Sequence, residues 1–107
     1  MTICWIGIPY FFPALADLGE EVVHLDARFP EFWTWEGIVA AVGRAPDLLV
    51  LGDASLPPFL PGLESFPCPT VFYCVDSHIH AWHPLYGRAF DLCLVSLRDH
   101  IPWFLSQ

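Results

Sequence analysis

The sequence predicts an α/β protein in which about five parallel strands form one sheet between two layers of helices. Five short apolar runs recur along the 107 residues. They lack the strict alternation of apolar and polar residues that a strand with one solvent-exposed face shows, as expected for parallel strands covered on both sides. Helical or loop segments separate the runs, and right-handed crossovers then give a doubly wound, Rossmann-like sheet with three layers, α/β/α.

The predicted strands and helices begin and end at residues with clear local preferences. Pro13 suits the first turn of the first helix, and Gly19 suits its C-cap. Thr34 is the expected N-cap of the second helix, which Gly43 ends. The predicted strands are residues 2–7, 21–26 and 48–53, the apolar beginning of the stretch 69–83, and residues 91–96. The predicted helices are about residues 13–18, 36–42, 84–90 and 98–105, with a single turn near 60–64 inside the proline-rich segment 54–69.

Composition and charge exclude several classes of protein. Four arginines, no lysine and twelve acidic residues give a net charge of −8, which argues against nucleic acid as a partner because phosphate binding needs a basic face. No apolar run approaches the roughly 18 residues of a membrane span. The N-terminus lacks the features of a signal peptide, so a cytoplasmic location is expected.

The four cysteines predict free thiols and no metal-binding motif. Cys4, Cys74 and Cys93 lie inside apolar runs, Cys68 lies between two prolines, and no Cys-x-x-Cys spacing occurs. Buried free cysteines usually behave as small hydrophobic residues. We therefore assign no metal and no cofactor to the chain.

The stretch 69–83 starts as an apolar strand and ends in a polar cluster. The carboxyl ends of parallel strands meet at one edge of the sheet, where open α/β folds bind ligands. We therefore expect Asp76, Ser77, His78 and His80 to face a cleft. The other polar strand ends expected at this edge are Asp26, Asp53 and Ser96.

The same cluster also allows a metal interpretation. Asp76, His78, His80 and His83 offer enough oxygen and nitrogen ligands for a divalent ion, and in an extended segment the first three point to one side. A small metal-dependent hydrolase is therefore one alternative. The interpretation ranks below binding of a polar substrate, because the chain has only two other histidines to complete such a site.

Other kinds of site find less support. Asp26 could hold a ribose hydroxyl, but the first loop has no Gly-x-Gly-x-x-Gly. Ser77 lacks a Gly-x-Ser-x-Gly elbow, and Cys74 lies within a strand. A receiver-like module is disfavoured because the chain has no lysine, although Asp53 fits. A non-catalytic α/β module that binds a ligand or partner remains an alternative.

One run carries a family resemblance. Val-Phe-Tyr-Cys-Val-Asp-Ser-His-Ile-His-Ala-Trp-His-Pro-Leu-Tyr-Gly-Arg-Ala-Phe-Asp-Leu-Cys-Leu-Val-Ser, residues 71–96, resembles the N-terminal half of bacterial CgeB-like glycosyltransferases, with residues 76–91 the most specific part. Such proteins are similar to two-domain GT-B transferases. In those enzymes an N-terminal Rossmann-like domain mainly receives the acceptor, and a second domain binds most of the nucleotide-sugar donor.

The resemblance implies that residues 1–107 form one Rossmann-like domain, the acceptor-side part of a two-domain glycosyltransferase. Its implied partners are a C-terminal nucleotide-sugar-binding domain and a sugar or glycan acceptor. The chain stops soon after the fifth strand, so we expect it to be inactive alone. Its apolar last segment, which contains Ile101, Trp103, Phe104 and Leu105, is expected to be exposed and to promote self-association.

The predicted site then has two groups of residues. The catalytic candidates are Asp76, His78 and His80, one of which would act as the general base that deprotonates an acceptor hydroxyl. Spacing does not decide which of the three is the base. The substrate-binding candidates are Asp53, Ser77, His83 and Tyr10.

Overall fold

The computed structural model describes residues 1–27, 32–53, 55, 60–78 and 80–106. Five strands form one all-parallel sheet in the order β2-β1-β3-β4-β5. The strands are β1 (Thr2–Gly7), β2 (Glu21–Leu25), β3 (Leu48–Gly52), β4 (Thr70–Cys74) and β5 (Leu92–Val95). All five predicted strands are confirmed. β1 has the predicted bounds, and β2, β3 and β5 differ from theirs by at most one residue at each end.

Four α-helices connect or follow the strands. They are α1 (Phe12–Asp17), α2 (Trp35–Val42), α3 (His83–Gly87) and α4 (Ile101–Leu105), with 3₁₀ turns at Leu63–Ser65 and Arg98–His100. The predicted helix over 84–90 ends earlier than expected, because the turns that follow Gly87 close through i to i−3 hydrogen bonds. Part of the predicted proline-rich loop, residues 54 and 56–59, lies outside the described residues.

Local signals account for the ends of α2. The Thr34 hydroxyl accepts a hydrogen bond from the backbone N–H of Gly37, as an N-cap does. Gly43 has a φ of +90° and its N–H donates to the carbonyl of Val39, which is the left-handed ending that glycine favours. Both capping predictions are confirmed.

Helices cover both faces of the sheet. On one face, alternate residues of β1, β3 and β4 form the larger apolar cluster with Ile38 of α2. On the other face, Ile3, Trp5 and Val50 form a smaller cluster against which Leu15 of α1 packs. The predicted Rossmann-like α/β/α arrangement is therefore confirmed. The buried members of the larger cluster are Cys4, Ile6, Ile38, Leu49, Leu51, Leu60, Leu63, Phe72, Cys74 and Phe90.

The strand order places a topological switch point between β1 and β3. The chain runs outward from β1 to β2, then returns to the other side of β1 as β3 and continues outward to β5. In open α/β sheets, ligands bind in the crevice outside the carboxyl ends of the strands at such a point. The fold therefore directs attention to the segments that follow Gly7, Gly52 and Cys74.

Several large apolar side chains lie on the surface near the C-terminal end of the described chain. Ile101, Trp103 and Leu105 of α4 are exposed, as are Leu92 and Leu94 of β5. The exposure predicted for the last segment is confirmed for these three α4 residues but is wrong for Phe104, which is half-buried and packs against the larger apolar cluster. The predicted self-association stays a prediction. None of the described helices is both long enough and apolar enough to cross a membrane.

Candidate functional site

The backbone is unusually close at the carboxyl ends of β1 and β3. Gly7 pairs with Gly52 in the sheet register and has a φ of +98°. A Cβ at Gly7 would overlap the carbonyl oxygen of Gly52, and one at Gly52 would overlap the carbonyl oxygen of Ile8. The Trp5 indole N–H donates to that Ile8 carbonyl over 2.6 Å. Two glycines are thus required to bring the first loop against the end of β3.

Asp53 organises the loops beyond this point. Its side chain is buried, and one carboxylate oxygen accepts backbone hydrogen bonds from Val75 at 2.9 Å and Asp76 at 2.7 Å. The other oxygen accepts from the backbone N–H of Ser55 at 2.9 Å. Three N–H donors make a buried carboxylate tolerable. Asp53 therefore fixes the segment after β4 relative to the end of β3.

Asp76 is held by its neighbours rather than left free in the crevice. Its carboxylate accepts a hydrogen bond from the Ser55 hydroxyl. Its carbonyl accepts from the backbone N–H of His80 at 3.0 Å, so the chain turns between these two residues. The extended conformation considered for residues 76–80 is therefore wrong. Asp76, His78 and His80 do not project together as alternate strand residues would.

His83 lies beneath the crevice and is fully buried. Its Nδ1 is 3.0 Å from the Cys74 sulfur, and its Nε2 is 3.7 Å from a carboxylate oxygen of Asp53. Burial lowers the pKa of His83, and the nearby Asp53 opposes that shift only in part. Burial, with a smaller contribution from Asp53, raises the pKa of the Cys74 thiol to about 12. The imidazole and the thiol are therefore both neutral near pH 7.

A cavity of about 460 Å³ opens beside this region, between the loop after β4 and α4. Ser77 is buried and lines the cavity, and its hydroxyl lies 2.7 Å from Nδ1 of His100. The His100 ring stacks on the Trp103 indole, with 4.1 Å between the ring centroids. His78 is exposed at the cavity wall. The lining residues are Ser77, His78, Ala81, Pro84, Leu85, Trp103 and Ser106.

A larger cavity, of about 620 Å³, runs along β5 and has a mainly apolar lining. Leu92, Leu94 and Phe104 contribute to its wall. We favour the smaller cavity as the ligand site, because it combines hydroxyl and imidazole groups with an indole. A few convergent polar groups on an apolar wall are typical of small-molecule sites.

The remaining predicted site residues, Tyr10 and His80, lie outside the smaller cavity. Tyr10 donates its hydroxyl to the backbone carbonyl of Asp53 over 2.8 Å, and its ring packs against Tyr73. Partial burial, followed by the charge of Asp53, raises the pKa of the Tyr10 hydroxyl. Nε2 of His80 is enclosed and has no hydrogen-bond partner among the described residues. Neither residue lines the smaller cavity.

Three participants were not predicted from the sequence as site residues. His100 and Trp103 belong to the last segment, which was predicted only as an apolar, helix-like piece. Cys74 was predicted as a small hydrophobic strand residue, and it is indeed fully buried. The only local signal was a histidine and a tryptophan three residues apart near the chain end, a spacing that puts them on one side of a helical turn.

Comparison of the chain with models of protein families, with curated proteins and with solved structures yields no match. The residues and geometry of this chain, together with the resemblance in residues 71–96, are therefore the basis for a proposed function.

Proposed function

We propose that this chain is the acceptor-binding, Rossmann-like domain of a glycosyltransferase that moves a sugar from a nucleotide-sugar donor to a hydroxyl acceptor. The observation that carries the proposal is the cavity at the carboxyl edge of the sheet, where hydroxyl, imidazole and indole groups meet. A sugar presents both hydroxyls and apolar C–H faces, so it suits hydroxyl and imidazole partners beside an aromatic ring.

His78 is the best placed of the three catalytic candidates. It is exposed and lines the cavity, whereas the Asp76 carboxylate is engaged by Ser55 and Nε2 of His80 is enclosed. In the proposed reaction the His78 imidazole takes the proton of the acceptor hydroxyl. The acceptor oxygen then bonds to the anomeric carbon, and the bond from that carbon to the nucleotide diphosphate breaks.

The proposal assigns the donor to a separate C-terminal domain. With four arginines, no lysine and a net charge of −8, this chain is poorly suited to hold a diphosphate by itself. The bound acceptor and the bound donor then come together only when the two domains face each other. A cytoplasmic location, where nucleotide sugars are made, and reduced cysteines belong to the same proposal; the four cysteines are free in the structure.

The proposal predicts that the 107-residue chain binds carbohydrate but not a nucleotide sugar. The protein is titrated with a panel of mono- and disaccharides, and binding is measured by calorimetry or tryptophan fluorescence. At least one sugar of the panel should bind. Trp103→Ala and His78→Ala should each weaken that binding about tenfold, which corresponds to the loss of one good contact of about 1.4 kcal/mol. A UDP-sugar should bind no better than the free sugar.

Phe32→Ala is the matched control, because Phe32 is an exposed aromatic residue that does not line the cavity. Its sugar affinity should equal that of the unmodified chain. Absence of binding by every sugar in the panel would contradict the proposal, as would equal effects of Trp103→Ala and Phe32→Ala. Tight binding of the UDP-sugar through its diphosphate would contradict the assignment of the donor to another domain.

A further inference from the structure

A cluster of three metal-ligating side chains lies beneath the crevice and does not line the cavity assigned to the acceptor. Asp53 follows β3, Cys74 ends β4 and His83 begins α3. All three side chains are buried, and each offers one donor atom such that the three atoms lie within 4.8 Å of one another. Among the described residues, this is the one group of at least three histidine, cysteine or acidic side chains whose donor atoms lie close enough together to hold an ion.

Hydrogen bonding among the described residues leaves one nitrogen of this cluster without a partner. Nε2 of His83 is buried and has no hydrogen-bond partner in the described part of the chain. The nearest carboxylate oxygen of Asp53 is 3.7 Å away, which is too long for a hydrogen bond. Buried polar atoms are nearly always satisfied, so this nitrogen, which faces a carboxylate, is available as a ligand for an ion.

The donor set and its spacing suit a transition-metal ion. Thiolate, imidazole and carboxylate are the ligands of Zn²⁺, and bonds of about 2.0 to 2.3 Å place tetrahedral ligands roughly 3.3 to 3.6 Å apart. The separation from Nε2 of His83 to Asp53 is 3.7 Å, and that from Nδ1 to the Cys74 sulfur is 3.0 Å. These two distances involve different nitrogens of the His83 ring, and an ion binds only one of them, so the three donor atoms that meet at one ion are up to 4.8 Å apart. A shift of about 1 Å brings them to the spacing of tetrahedral ligands.

A further imidazole lies close to the cluster. The His80 ring is centred 5.0 Å from that of His83, and its Nε2 is also enclosed without a described hydrogen-bond partner. Structural zinc sites usually have four protein ligands. His80 lies outside the group of three donor atoms, and its ring would have to turn toward the ion to serve as the fourth.

We propose that Asp53, Cys74 and His83 bind a thiophilic divalent metal ion of the Zn²⁺ class in a structural site that joins the ends of β3 and β4 to the start of α3. The burial of all three ligands favours a structural role, since it leaves no face of the ion open to a substrate. The site is independent of the proposed acceptor binding, and either could fail without the other.

The test uses the untagged chain, stripped of metal by a chelator in denaturant and refolded with Zn²⁺ or Co²⁺. Elemental analysis should find one Zn²⁺ per chain after dialysis. The Co²⁺ form should show the near-ultraviolet charge-transfer absorption of a thiolate ligand. Cys74→Ala should abolish that absorption and lower the affinity for metal at least tenfold.

Cys4→Ala is the matched control, because Cys4 is equally buried and belongs to the same apolar cluster but is not in the metal group. It should keep the absorption and one metal per chain. Cys74→Ser, which nearly preserves side-chain size and keeps a polar atom near Nδ1 of His83, gives a second variant if Cys74→Ala does not fold, and it too should lower the affinity at least tenfold. Substoichiometric metal in the unmodified chain, or a Co²⁺ spectrum without a thiolate band, would overturn the proposal.

Discussion

Asp53→Ala is expected to lower the free energy of unfolding by about 3 to 5 kcal/mol. The substitution removes the acceptor of three backbone hydrogen bonds, from Ser55, Val75 and Asp76. Each N–H that loses its partner in a buried site costs about 1 to 3 kcal/mol. Chemical denaturation of the protein in the presence of a chelator measures the loss without any contribution from bound metal.

Asp17→Ala is the control for Asp53→Ala. Asp17 is an exposed carboxylate at the end of α1, and its removal should change stability by no more than about 0.5 kcal/mol. If Asp53→Ala were as mild as Asp17→Ala, Asp53 would not organise the loops at the carboxyl edge. Other contacts would then have to hold the loops that form the crevice.

Gly7→Ala is expected to cost more than about 3 kcal/mol, and the chain is expected to fold poorly. The new Cβ would overlap the carbonyl of Gly52, which is backbone of the adjacent central strand and cannot move aside without breaking the sheet register. The φ of +98° adds strain of about 1 to 2 kcal/mol for any residue other than glycine. The midpoint of thermal or urea unfolding measures the loss of stability.

Gly19→Ala separates the cost of backbone strain from the cost of the steric overlap. Gly19 also has a positive φ, of +83°, but a Cβ there meets nothing within 4 Å. Its replacement should therefore cost only the backbone strain, about 1 to 2 kcal/mol. Equal losses for Gly7→Ala and Gly19→Ala would show that the close approach of the two strand ends is not needed for stability.

The sequence allowed the strands and their polarity to be predicted because the signals are local. Apolar runs such as 48–53 have few other stable conformations in a chain this size. Thr34 and Gly43 define α2 through contacts within one turn of themselves. The helix after residue 84 was predicted too long because its end depends on the turns that lead into β5, which periodicity does not reveal.

The candidate site was predicted less completely, because its contacts join distant parts of the chain. Asp53 was correctly placed at the carboxyl edge, but its bonds to the N–H groups of Val75 and Asp76 exist only once β3 and β4 pair. The contact of Ser77 with His100 spans 23 residues. The turn between Asp76 and His80 also depends on contacts between distant parts of the chain. Because of this turn, His78 and His80 do not lie on one side, as they would in an extended segment.

Sugar binding mapped on the ¹⁵N-labelled protein by NMR tests the central claim that the cavity between the loop after β4 and α4 receives the acceptor. The account predicts that a bound sugar shifts the backbone signals of Ser77, His78 and Ala81 and the indole signal of Trp103, which line the cavity. Signals of β2 and α1, on the opposite side of the switch point, should stay unchanged. Shifts centred on those elements, or no shift with any sugar that binds, would contradict the account.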